Sequence, residues 1–268
     1  MSDRFAAVRI PYFQVDAFTR RLFGGNPAGV CTLEAWLPDD VLQKIATENN
    51  LSETAFLVRR GDEFDLRWFT TEIEIDLCGH ATLASAFVLF GEFGFAGDAV
   101  RFHTRSGVLS ATRDGDVITL DFPAWSTEPC KAEAALVHGL GWMPREVRRN
   151  AEDILAVLSS EADVLGLKPD TAQLAALDTR GIIVTAPGSD CDFVSRFFAP
   201  RLGLIEDPVT GSAHSTLIPY WSEHLGKTTM FARQLSRRGG ELFCEARGER
   251  VAIGGHAVLY SRGELELP

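Results

Sequence analysis

The chain has 268 residues, of which 46% are hydrophobic, and a formal net charge of -11. That is enough apolar material for one large core or two modest ones. The acidic balance disfavours nucleic acid and anionic membrane surfaces, since phosphate is held by Lys and Arg in excess, and leaves a small molecule as the expected partner.

The cysteines, Cys31, Cys78, Cys130, Cys191 and Cys244, are odd in number and show no CxxC spacing. This argues against a disulfide framework and a structural zinc site, and reduced thiols fit a cytoplasmic protein. No metal is expected. The N-terminal MSDRFAAVRIPYF carries no long apolar run, and Ala81 to Phe90 falls well short of the ~20 residues a spanning helix needs, so no membrane insertion is expected.

In chain order, Val8 to Phe18 reads as a strand, and FGGNPAGV, with Asn26, supplies a turn before a second strand near Cys31. LPDDVLQKIATENN predicts a helix with Pro38 and two aspartates in its first turn, ended by Asn49-Asn50. Thr54 to Val58 and Phe64 to Phe69 read as strands. EIEIDL alternates strictly, which predicts a half-buried strand with Ile73, Ile75 and Leu77 on its inner face. ATLASAFVLF, apolar all round, predicts a helix enclosed by its own domain. A hairpin turning at Asp114-Gly115 closes the first half, and AWSTEPCKAE is the candidate linker. The expected domains are 1–124, with a central helix near 79–91, and 125–268, with one near 211–225; the last strand is allowed to cross back to the first half.

The halves share more than grammar. Aligning FDLRWF (Phe64 to Phe69) with FVSRFF (Phe193 to Phe198), with an insertion of about three residues, lets Cys78-Gly79-His80 fall on Thr210-Gly211-Ser212. The pattern predicts a duplicated unit, each copy wrapping strands around its own helix and turning that helix's N-terminus to a cleft between the halves. Helix N-termini carry unpaired N–H groups and a partial positive charge, which suits a carboxylate ligand.

Glu53, in NLSETAF, stands among Leu51, Ala55, Phe56 and Leu57. A carboxylate there is partly desolvated and suited to proton transfer; a solvated polar turn is the plainer alternative. His80 is either a packed core histidine or a site residue kept neutral by the helix N-terminus. Asp207 reads equally as an N-cap or turn residue of the second helix. Cys78 has Thr210 as its repeat partner, so no opposed pair of thiols exists, and a small buried residue is the favoured reading.

QVDAFTRRLFGGNPAGV, NLSETAF, LCGHATLASA and EDPVTGSAH resemble, in matching order, the motifs of the phenazine biosynthesis PhzF-like family. The resemblance implies an α+β fold similar to that of diaminopimelate epimerase: two pseudo-symmetric halves, each a mixed β-sheet rolled around a central helix. It implies a cofactor-free isomerase and a homodimer. Its acid/base glutamate falls on Glu53, its histidine on His80 and its aspartate on Asp207. Its substrate-binding positions fall on Asn26, Ser52, Gly79, Gly211 and Ser212. Thr71 and Ser215 depart from the family's usual proline and cysteine. The expected activity is proton movement on a small unsaturated or amino-bearing carboxylic acid; the alternatives are epimerisation of a small amino acid and carboxylate binding without turnover.

Overall fold

In the computed structural model, which describes residues 8–267, the N-terminal alternation forms β1 (Val8–Ala17), with Val15 and Ala17 fully buried. There follow β2 (Asn26–Leu33), α1 (Asp39–Asn49), β3 (Glu53–Arg60), β4 (Glu63–Phe69), the short β5 (Glu74–Ile75), α2 (Gly79–Gly91), β6 (Ala99–Thr104), β7 (Gly107–Asp114) and β8 (Val117–Pro123). Helix α1 begins after Pro38 with Asp39 and Asp40 against its positive end, and Asn50, in the left-handed region at φ 49°, closes it. Its Leu42, Ile45 and Ala46 pack with Ile10, Phe56 and Phe69.

Strands β2 and β3 are parallel, with Ala28 opposite Glu53; β3 and β4 are antiparallel, and β4 and β6 parallel. Helix α2 packs on β1, β3, β7 and the last strand, whose range is Ala257–Leu267 and which pairs antiparallel with β1. The helix is buried on all sides. Its hydroxyls survive there because Thr82 donates to the Cys78 carbonyl and Ser85 to the Ala81 carbonyl. This unit comprises Met1–Phe23, Pro27–Leu120 and Gly255–Pro268.

The second unit comprises Gly24–Asn26 and Asp121–Gly254. It contains β9 (Glu128–Pro129), α3 (Ala134–Leu140), β10 (Glu146–Arg149), β11 (Asp153–Val157), α4 (Glu161–Gly166), α5 (Thr171–Ala175), β12 (Gly181–Pro187), β13 (Phe193–Ala199), β14 (Leu204–Asp207), α6 (Gly211–Leu225), β15 (Thr229–Gln234), β16 (Gly240–Arg247) and β17 (Arg250–Gly255); the last strand is β18. Its core gathers Leu136, Leu140, Ile154, Ala156, Leu174, Val184 and Phe198.

The two units repeat one another in register. In the first, β2 runs parallel to β3, β3 antiparallel to β4, and β4 parallel to β6; in the second, β11, β12, β13 and β15 do the same in turn. Trp68 faces Ile75 as Phe197 faces Asp207, and Thr54 faces Phe69 as Ile182 faces Phe198. Each copy carries a half-buried bidentate ion pair at the same place. Arg67 Nε and Nη2 bind Glu74 at 2.7 and 2.6 Å, and Arg196 Nε and Nη2 bind Glu206 at 2.7 and 3.0 Å.

That pair explains where the alternation of EIEIDL misleads. Ile73 is 57% exposed, and the strand shortens to Glu74–Ile75. The carboxylate of Glu74 is drawn inward between Arg67 and Arg105, so charge pairing overrides the apolar period.

The register makes Gly181 the counterpart of Glu53: each is the first residue of its strand, opposite Asp153 and Ala28 respectively. A Cβ at Gly181 would overlap the Phe197 ring. Gly181→Ala is therefore expected to cost about 1–3 kcal/mol in urea unfolding, and Phe197→Leu in the same chain to recover part of it. An unchanged midpoint for the single variant would contradict the overlap.

Candidate active site

In the first unit the parallel pairing of β3 beside β2 sets Glu53 at the strand's first position, and the turn after β5 delivers Cys78, Gly79 and His80 to the N-terminus of α2. Cys78 occupies the N-cap position without a side-chain capping bond, and Gly79 and His80 are the first helical residues. His80 Nε2 lies 3.0 Å from Glu53 Oε2, and His80 Nδ1 lies 3.6 Å from Cys78 Sγ. The Glu53 side chain is 14% exposed and that of His80 5%. The result is a carboxylate–imidazole–thiol chain with the imidazole in the middle.

Burial opposes a charge on His80, but the Cys78 sulfur and the Glu53 carboxylate outweigh it and raise the imidazole well above its ordinary value. This direction runs against the expectation of an imidazole kept neutral by the helix N-terminus: Cys78 and, after it, the Glu53 carboxylate at 3.0 Å favour the charged ring. Burial pushes the Cys78 thiol up, against the pull of His80.

A raised folded-state value means that protonated His80 favours the folded state. Its contribution is complete below the ordinary value of 6.5 and is lost as pH rises through the folded-state value. Titrated by NMR of the labelled imidazole, His80 is expected to have its midpoint above 6.5 in the wild type. In Glu53→Gln, where burial acts with less opposition, the midpoint is expected to fall; an unmoved midpoint would show that Glu53 is not the partner that counts.

Glu53, Cys78 and His80 each offer one ligand atom, and these atoms lie within 4.8 Å of one another. The imidazole, however, turns Nδ1 to the sulfur and Nε2 to the carboxylate. Its two partners sit on different nitrogens instead of converging on one, which suits a chain of close polar contacts better than a shared cation.

In the second unit Asp207 ends β14 and Thr210 takes the N-cap position of α6. Asp207 is not the N-cap. Its Oδ1 accepts from Asn26 Nδ2 at 2.8 Å and its Oδ2 from Thr210 Oγ1 at 2.5 Å. Asn26 Nδ2 also donates to the Val209 carbonyl. Gln234, unmarked in the sequence, completes the turn: its Oε1 accepts the Thr210 N–H at 2.8 Å, and its Nε2 donates to the Asp207 carbonyl and to Thr210 Oγ1. The backbone N–H can only donate, so the amide orientation is fixed, and the Thr210 proton goes to Asp207. Both Asp207 oxygens are thus acceptors.

Gly211 and Ser212 open α6, and Ser212 Oγ accepts from Arg180 Nη1 at 3.2 Å. Arg180 in turn binds buried Asp153, through Nε at 3.0 Å and through Nη2. Ser52 is half-buried in the bend before Glu53, and its side chain makes no hydrogen bond among the described residues. His214, one turn into α6, donates Nδ1–H to the Thr210 carbonyl, and burial lowers it to about 4, so it is neutral. Sequence reasoning missed Gln234, Arg180 and Asp153; the one available signal for Arg180 and Gly181 was their alignment with Ser52 and Glu53, which emerges from strand register and not from similarity.

A family model described as phenazine biosynthesis-like protein matches residues 15–263. A Pseudomonas aeruginosa protein named as an uncharacterized isomerase is 52% identical over 260 residues, covering 97% of this chain and 100% of its own length. The crystal structure of a phenazine biosynthesis protein of the PhzF family from Enterococcus faecalis is similar with a TM-score of 0.94 and 49% identity, over 97% of this chain and 100% of that one. A Pseudomonas aeruginosa structure described as a predicted epimerase, with 22% identity and a TM-score of 0.74 over 96% of this chain and 99% of its own, shares the fold.

Proposed function

We propose that this protein, which belongs to the phenazine biosynthesis-like family, is an isomerase that moves a proton on a small unsaturated or amino-bearing carboxylic acid, with Glu53 as acid and base. The observation that carries the reading is the Glu53–His80 contact at 3.0 Å beside the N-terminus of a buried helix. His80 engages Oε2 and leaves Oε1 to take a proton from carbon and return it elsewhere on the same face. The imidazole holds the carboxylate in place, and as the proton moves to Glu53 it can carry the compensating charge toward the substrate's polar group. In the first unit the helix N–H groups at Gly79 and His80 are assigned to the substrate carboxylate and to charge that develops on deprotonation; in the second unit those at Gly211 and Ser212 are assigned the same capacity to hold a carboxylate. Asp207, an acceptor through both oxygens, is assigned to orienting the substrate.

A one-base reaction is favoured over a two-base epimerase because the position matching Glu53 in the second unit is Gly181, and because Asp207 already receives donors from Asn26 and Thr210. The test is incubation with a pool of small unsaturated and amino-bearing acids in D2O, read by mass spectrometry and chiral chromatography. Deuterium gain with a shifted double bond is the expected result. Inversion at one carbon with the double bonds unmoved would favour epimerisation, and binding without deuterium gain would reduce the protein to a carboxylate binder.

A further inference from the structure

We propose that Arg180 is the positioning residue of an anion subsite in the second unit: it holds the Ser212 hydroxyl as an acceptor, so that the hydroxyl proton and the first N–H groups of α6 are presented together to a ligand carboxylate. The proposal deepens the isomerase reading and rests on it only for the choice of a carboxylate as ligand.

The guanidinium has little freedom. Nε and Nη2 are committed to Asp153, which is 1% exposed, and the plane lies against the Trp125 and Phe197 rings at 5.8 and 5.5 Å. The remaining edge meets Ser212 Oγ through Nη1. A guanidinium has no lone pair to offer, so Ser212 must accept, and its own proton points elsewhere. Ser212 is 7% exposed, and its proton has no acceptor among the described residues. A buried hydroxyl donor left over at the start of a 15-residue helix is half of a hydrogen-bond arrangement whose other half is an acceptor from outside the unit.

The duplication sharpens the point. His80 and Ser212 are the second residues of their helices; His80 is met by a carboxylate from the start of β3, Ser212 by a guanidinium from the residue before β12. Partner charge is inverted between copies of one scaffold. Asp153, with Glu152 Oε2 3.8 Å from Nε, offsets the guanidinium, so selectivity for an anion comes from aimed donors and not from net charge.

Calorimetry with crotonate as the probe, and crotonamide as its uncharged control, tests this on wild type, Arg180→Gln, Ser212→Ala and the double variant. Each single change is expected to raise the crotonate Kd about tenfold while leaving crotonamide within about twofold, and the double variant to add little to either. Arg180→Gln strips a buried carboxylate of its partner, so folding is checked by circular dichroism; Ser212→Ala leaves the Arg180–Asp153 pair intact and carries the test if the first variant misfolds. No crotonate binding by the wild type, equal losses for crotonate and crotonamide, additive effects in the double variant, or unchanged affinity in Ser212→Ala would each overturn the proposal. Absent deuterium gain with this affinity pattern intact would sink the isomerase reading alone, and the reverse result would sink the subsite alone.

Discussion

Glu53→Gln is expected to lower deuterium incorporation about 10²- to 10⁴-fold, the range that general acid–base groups contribute, with the urea midpoint close to wild type. The amide keeps the shape of the side chain and can still accept a hydrogen bond from His80, but it cannot take a proton from carbon. Neighbouring Ala55, Phe56 and Leu57 are buried and untouched by the change, so the strand stays in place. Exchange within about threefold of wild type would remove Glu53 as the base, since no acid–base contribution of the usual size would then be missing.

Asp207→Ala should act on stability as well as on turnover. It leaves Asn26 Nδ2 short of one acceptor and the Thr210 hydroxyl without its acceptor in a buried turn, and removes the anchor of the strand end before α6. The expected loss is about 2–5 kcal/mol in urea unfolding, together with loss of exchange. Asp207→Asn keeps an acceptor for Thr210 but turns an amide toward the Asn26 amide, and should fall between. A wild-type midpoint in Asp207→Ala would mean that this turn is held by Gln234 without the carboxylate.

The fold class was legible because its signals are local or repeat: the strand–turn–helix sequence ending at Gly79 and again at Gly211, and an all-apolar helix that has to be enclosed. The family was legible from four motif strings. What could not be read was partnership. Nothing in NLSETAF says that Glu53 meets His80, since their contact depends on strand register. EIEIDL was misread because the arginines that draw Glu74 inward, Arg67 and Arg105, lie outside the six residues whose period was counted. Gln234 closes the Asp207 turn from a strand 24 residues beyond Thr210, and a lone glutamine in TMFARQ carries no sign of it. The helix end alone does not decide the state of His80: burial lowers it, and Cys78 first and then Glu53, 27 positions away, raise it.

The filled space beside Gly181 bears on how this scaffold can change by descent. A second carboxylate at the position matching Glu53 is not one substitution away, because the Phe197 ring lies where the new side chain would begin. Replacing Phe197 first opens a void and loosens the seat of Arg180; replacing Gly181 first forces a clash. Either order passes through a less fit intermediate, the signature of sign epistasis. The two copies are in this respect locked into separate trades.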